Sequence, residues 1–207
     1  MATVIPFEER AVARLRERLG AAEEANQDLL AFARGHSGAV ASIHDAVLAA
    51  LGTEDLQSLF HVVTQEWPLI LGLDAVALAL VVRDQAFRAD GDGVQFVAPQ
   101  LVDKALQGVD GVEMRNVGRG HPLFGPACSL IRSEALIRID SEGEVRVCHV
   151  PRDGGMPRLP YGLLVLGQRA EQKIDGRHGS ELLQFLGHSL AAMIRRWLTE
   201  PQTTSLS

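Results

Sequence analysis

One stretch near the end of the chain constrains the fold more than any other: Tyr161-Gly-Leu-Leu-Val-Leu-Gly167, an apolar run fenced by glycines. It is too short for a buried helix and apolar enough for a central strand. A polar, glycine-marked turn over 168–179 follows. Then comes a helix with Leu182, Leu183, Leu186, Leu190, Met193, Ile194 and Trp197 on one face. At the other end, residues 12–50 read as a long helix. A long opening helix, strands in the middle and a closing strand–turn–helix give an α+β layout. That layout is the one used by small sensor domains, which usually bind and relay rather than catalyse.

With Val12 at position a of a heptad, the register holds for almost six repeats. Val12, Leu19, Asn26, Ala33, Val40 and Val47 fall at a, and Leu15, Ala22, Leu29, His36, Ile43 and Ala50 at d. Gly20, Gly35 and Gly38 lie off this seam. Asn26 at an a position fixes register and favours two strands. Arg18 at g and Glu23 at the next e would pair between parallel chains. The seam is thin, with three alanines, one asparagine and one histidine among its twelve positions. Residues 12–33 therefore either join two chains or pack on their own domain, whereas 40–50 are expected to pack on the domain. The segments divide as 1–38 for helical dimerisation, 39–200 for the domain and 201–207 for a frayed tail.

Between these ends, Thr53 is expected to cap a second helix whose buried stripe is Leu56, Leu59, Phe60, Val63 and Trp67, with Pro68 ending or kinking it. Leu73-Asp-Ala-Val-Ala-Leu-Ala-Leu-Val-Val82 reads as an interior strand covered on both faces. Residues 86–88 and 94–97 flank Asp90-Gly-Asp-Gly93, a hairpin signal, and 99–107 form a short helix. Residues 134–140 and 144–150 alternate as strands. Residues 108–133 hold five glycines and two prolines and read as a long irregular connection. A connection of that length inside a compact domain is functional or disordered.

Composition removes several classes of function. The net charge is −6, and no basic stripe is interleaved with aromatics, which disfavours nucleic acid as a partner. The longest apolar run, over 75–82, falls far below the roughly 20 residues that span a bilayer. No leader pattern opens the chain, so a cytoplasmic location is expected. Cys128 and Cys148 form no disulfide framework and no C-x-x-C motif. There is no H-E-x-x-H, G-x-S-x-G, P-loop or G-x-G-x-x-G. Cys148 and His149, adjacent in an expected strand, would point to opposite faces and could not share one metal. No catalytic residues, metal or cofactor are indicated.

Three segments together carry a resemblance. They are Phe7-Glu-Glu-Arg-x4-Leu15-Arg-Glu-Arg18, Leu123-Phe-Gly-Pro-x4-Ile131-Arg-Ser-Glu-Ala-Leu136, and Gly162-Leu-Leu-Val-Leu-Gly167 with His178-Gly-Ser-Glu-Leu-Leu-x-Phe-Leu-Gly187. The chain resembles the bacterial domain-of-unknown-function 484 family, whose members look like single GAF domains behind an N-terminal helix. The resemblance implies an antiparallel sheet of five or six strands, helices on one face, a pocket-side loop on the other, and a homodimer through the long helices. It supplies no known ligand. The Asn-Lys…Phe-x-x-x-Asp-Glu signature of cyclic-nucleotide-binding relatives is absent, and methionine-sulfoxide-reducing relatives use three cysteines where this chain has two.

A ligand site, if present, is expected in the 108–133 loop and the strand after it. Arg115, Arg119, His121, Phe124, Arg132 and Ser133 would set guanidinium, imidazole, aromatic and hydroxyl groups beside apolar strands, the make-up of a small-molecule pocket. The arginines suit an anion. The plainer alternative is that Arg132 caps backbone carbonyls or pairs with Glu134 while the loop merely covers the sheet. The reading is thus a GAF-like regulatory module that senses a small ligand and signals through a homodimer to a partner protein. Its competitors are a dimeric scaffold with a vestigial pocket and a small cysteine-dependent redox enzyme.

Overall fold

The computed structural model describes residues 20, 23, 27, 35–82, 84–140, 160–171 and 179–199. They fall into two compact units divided after Ala41. In the first, residues 20, 23, 27 and 35–41 are helical. The rest of the 12–33 seam, the expected strand 144–150 with Cys148, and the tail 201–207 lie outside the described residues.

The second unit opens with a helix, α1, over 42–51. Its Ile43, Ala46 and Ala50 are buried and Val47 is partly so, which is the expected packing of this stretch on its own domain. Thr53 does not cap the next helix. Its hydroxyl donates back to Ala50 O, closing α1, and the cap of α2 (Leu56–His61) is Asp55, which accepts the Ser58 N–H at 2.6 Å. Pro68 does not end this region either. α2 runs into a π-helical turn (Val62–Glu66) and then α3 (Trp67–Leu71). Pro68 has no N–H to give, so it is tolerated in the first turn of α3, and the ladder widens just ahead of it. The stop is Gly72, left-handed at φ 65°. Trp67 is wholly buried and donates its indole N–H to Ala46 O at 2.9 Å, fastening α3 to α1.

The strands are β1 (Ala75–Val82), β2 (Gln85–Asp90), β3 (Gly93–Val97), β4 (Val112–Asn116), β5 (Ser133–Ile139) and β6 (Tyr161–Gln168). They form one antiparallel sheet of six described strands in the order β3-β2-β1-β6-β5-β4. The two most apolar runs are thus its central pair, with Ala79 opposite Leu163 and Leu80 opposite Gly162. Between β3 and β4 runs α4 (Pro99–Leu106), and α5 (Gly179–Thr199) closes the unit. The 108–133 region is not one irregular loop. It contains β4 and a 3-10 helical segment (Pro122–Ser129) kinked at Gly125.

Alternation along the strands splits the core in two. Val76, Leu78, Leu80, Ile137, Ile139, Leu164 and Leu166 meet α1, α2, α3 and α5 on the helix face. Leu186 and Leu190 of α5 have no exposed surface, as the closing helical pattern predicts. On the opposite, loop face, Ala77, Ala79, Leu163, Val165 and Leu136 meet α4 and the 3-10 segment.

Candidate functional site

The expected ligand site maps to the loop face, where side chains occupy the space against the sheet. Leu123, Phe124 and Ile131 are buried there. The alanines of β1 let the 3-10 segment approach closely, and Gly167 of β6 completes the fit. A Cβ at Gly167 would stand 2.7 Å from the Phe124 ring and 2.9 Å from Ile131 Cδ1, closer than carbon atoms tolerate. The Phe124 ring therefore packs as core.

The polar residues converge on one carboxylate. Glu134, on the loop-facing side of β5, has a side chain only 1% exposed. Its Oε1 accepts Arg115 Nε at 2.8 Å with Arg115 Nη2 at 2.7 Å, and its Oε2 accepts the His121 backbone N–H at 2.6 Å. Arg115 also reaches Glu113 at 3.0 Å. Burial works against the Arg115 charge, but hydrogen bonding and attraction from Glu134, then from Glu113, outweigh it and raise its pKa. The His121 imidazole accepts the Leu123 N–H on Nδ1 and so caps the 3-10 segment. Burial lowers its pKa below 6.5 and the Arg115 charge lowers it further, against an opposing pull from Glu134.

Arg132 stands apart. Its Nη1 donates to the carbonyls of Gly118, Ser129 and Ile131, at 3.2, 2.9 and 2.9 Å. The carbonyl-capping alternative thus describes Arg132, while the pairing with Glu134 belongs to Arg115. The two guanidiniums do not share one space for an anion. Ser133 donates to Ala170 O, and Arg119 directs Nε and Nη2 at Cys128 Sγ, each 3.4 Å away. Cys128 is buried against Ala77 and its neighbours on the loop face. Glu113 joins this cluster through β4, a strand that the glycine-rich reading of 108–133 does not include. Val112-Glu-Met-Arg115 alternates apolar and polar, a period-two signal hidden among the glycines.

A groove of about 400 Å³ lies at the end of the sheet, lined by Thr64, Gln65, Asp74, Asp90, Asp92 and Phe124 among others. Of the expected site residues, only Phe124 reaches it. Asp90 is buried there beside Arg88, whose Nη2 lies 2.8 Å from Oδ2; this is a charge contact, with no N–H aligned on that oxygen. No group of three or more histidine, cysteine or acidic side chains suited to a metal occurs among the described residues. No described helix is long and apolar enough to cross a membrane.

The fold is that of GAF domains. The free methionine-R-sulfoxide reductase of Neisseria meningitidis, solved with its substrate, superposes with a TM-score of 0.50 at 17% identity, covering 75% of this chain and 87% of that one. The GAF domain of a putative sensor histidine kinase from Pseudomonas syringae pv. tomato gives 0.46 at 14% identity, covering 81% and 92%. A bacteriophytochrome of R. palustris gives 0.47 at 11% identity, covering 74% and 37%. At such identities the likeness concerns the fold alone. No curated protein matches the chain. The family is settled by the sequence itself: over residues 1–199 the chain matches, and belongs to, the DUF484 family of proteins of unknown function.

Proposed function

We propose that this chain is a non-catalytic, GAF-like regulatory module that works by protein contact. It pairs with a second copy through the N-terminal seam and passes its state to a partner protein, with its loop face serving as core. The observation that carries this reading is the internal occupancy of that face. Phe124 and Ile131 fill the space a small molecule would need, and Glu134 holds the guanidinium an anion would bind. The non-catalytic part is supported by His121. Its Nδ1 is engaged by a backbone N–H, so that nitrogen is not available as a base for Cys128. Among the two readings of the site, interaction module is therefore preferred to ligand sensor.

Native mass spectrometry of the full chain tests both parts at once. The purified protein is expected as an assembly of bare chains, and Leu15→Asp with Leu29→Asp should halve its mass by placing charge in the seam. A stoichiometric small molecule that travels with the wild type and is lost on Phe124→Trp would restore the sensor reading. An unchanged mass in the double variant would remove pairing through the seam.

A further inference from the structure

The two edges of the sheet are finished differently. β4 carries Glu113 and Arg115, charges of the kind that keep an edge from pairing. β3, at the other edge, is Gly93-Val-Gln-Phe-Val97, with no charge and no proline. Its register with β2 runs unbroken from Gly93 opposite Asp90 to Val97 opposite Ala86, so no bulge turns it aside. Val94 is 51% exposed and Phe96 75%. Both project from the helix face, beyond the last buried position, Ala89, and the Phe96 ring lies 4.9 Å from that of Phe87. On the other face Gln95 is held by Arg88 at 3.0 Å. The outer side of this strand has no partner strand among the described residues.

We propose that β3 is an interaction edge whose occupant is β3 of a second copy of this chain, running antiparallel about a two-fold axis through Gln95. An edge with no partner strand among the described residues selects an extended strand, and the pattern within β3 selects itself. Counted outward from Gln95, the strand reads apolar on both sides. The axis therefore sets Val94 opposite Phe96 of the second copy, and Phe96 opposite its Val94, on one face. Gln95 meets Gln95 on the other. Asp92 falls opposite Ala98, so no like charges meet. The alternatives fail on chemistry. A one-residue slip turns the apolar pair to the wrong face. A two-residue slip one way sets Phe96 against Asp92, and the other way draws Pro99, which has no N–H, into the ladder. This contact is separate from the N-terminal seam, and a chain with two distinct two-fold contacts builds assemblies larger than a dimer.

The test is cross-linking of the full chain carrying Cys128→Ser and Cys148→Ser. In that background Gln95→Cys places two thiols on the axis, and Gln57→Cys, exposed on α2, serves as control. Under copper–phenanthroline, position 95 should link at least about tenfold faster than position 57, because pairing makes the reaction effectively intramolecular. Adding Phe96→Lys should abolish the difference. In the otherwise native chain, Phe96→Lys should halve the sedimenting mass at high micromolar concentration and leave the thermal unfolding curve in place. Equal linking at 95 and 57 overturns the proposal, as does an unchanged mass. Capture of another protein's strand at β3, without linkage through position 95, gives the edge to a different occupant and overturns it too. The variants leave the N-terminal seam intact, so failure here is distinguishable from failure of seam pairing.

Discussion

The helix face and the loop face of this sheet are both closed, by opposite means. On the helix face, long aliphatic side chains from the strands meet Trp67, Leu59, Leu186 and Leu190, and bulk fills the gap between layers. On the loop face β1 and β2 offer Ala75, Ala77, Ala79 and Ala86 beside Leu136, Leu163 and Val165 of the neighbouring strands, and closure comes from α4 and a short kinked segment pressed against them. That face also buries charge: Glu134 and Asp90 are each about 95% or more buried, with Arg115 and Arg88 beside them. The difference separates two kinds of core. One is apolar and tolerant of local repacking. The other depends on a few close contacts and on paired charges, hydrogen-bonded at Glu134 and held by charge contact alone at Asp90, where a missing partner costs more than a missing methylene.

The sharpest way to break this comparison is to cut a large side chain from each face. Phe124→Ala on the loop face and Leu186→Ala on the helix face should each cost about 2–5 kcal/mol in urea unfolding. A loss below about 0.5 kcal/mol for Phe124→Ala, as at a surface position, would mean that the loop face is an open chamber rather than a core. Next in size is Glu134→Gln. It keeps the shape but strips the charge from the hydrogen bonds to Arg115 and the His121 N–H, and should cost about 1.5–3 kcal/mol. The same substitution of Glu113, whose side chain is partly exposed, should cost under about 1 kcal/mol.

The smallest effect sharpens the comparison through pH. His121 has its pKa lowered by burial, so the unfolded chain binds a proton more readily than the folded one. Stability contributed by the neutral imidazole is complete above 6.5, the unfolded value, and declines as pH falls through 6.5 toward the lower folded value. His121→Asn keeps an acceptor at the cap without a proton to gain. Thermal melts between pH 7 and pH 5 should show a shallower decline in that variant, while Leu186→Ala leaves the slope unchanged. Equal slopes in wild type and His121→Asn would remove His121 from the loop face's pH response.

How much of this was legible in the sequence follows the same division. The central strands and the closing helix were readable because burial on the helix face rests on long apolar side chains at regular spacing, and periodicity reports that directly. Leu186 and Leu190 are the clearest case. The loop face was read less well, because its closure depends on tertiary contacts. Nothing local in Gly167 announces Phe124, and β4 was lost among turn residues although it alternates. The six expected site residues do lie in one region of the chain. What spacing could not reveal is that Arg115 and Arg132 turn to different partners, since that choice is made by Glu134 on a neighbouring strand. The cap of α2 moved from Thr53 to Asp55 for a similar reason: Thr53 had a better acceptor behind it, in the last turn of α1.

The position of Glu134 has a consequence for affinity. A carboxylate fixed to the chain and already seated on Arg115 acts as a tethered competitor for any anion in solution. Its effective concentration at that guanidinium is set by the backbone and does not dilute. An outside carboxylate offering the same two oxygens would have to displace it and leave a buried charge behind. Only a group with more charge or more acceptor oxygens, or a change that first swings β5 away from β4, would find Arg115 open to exchange.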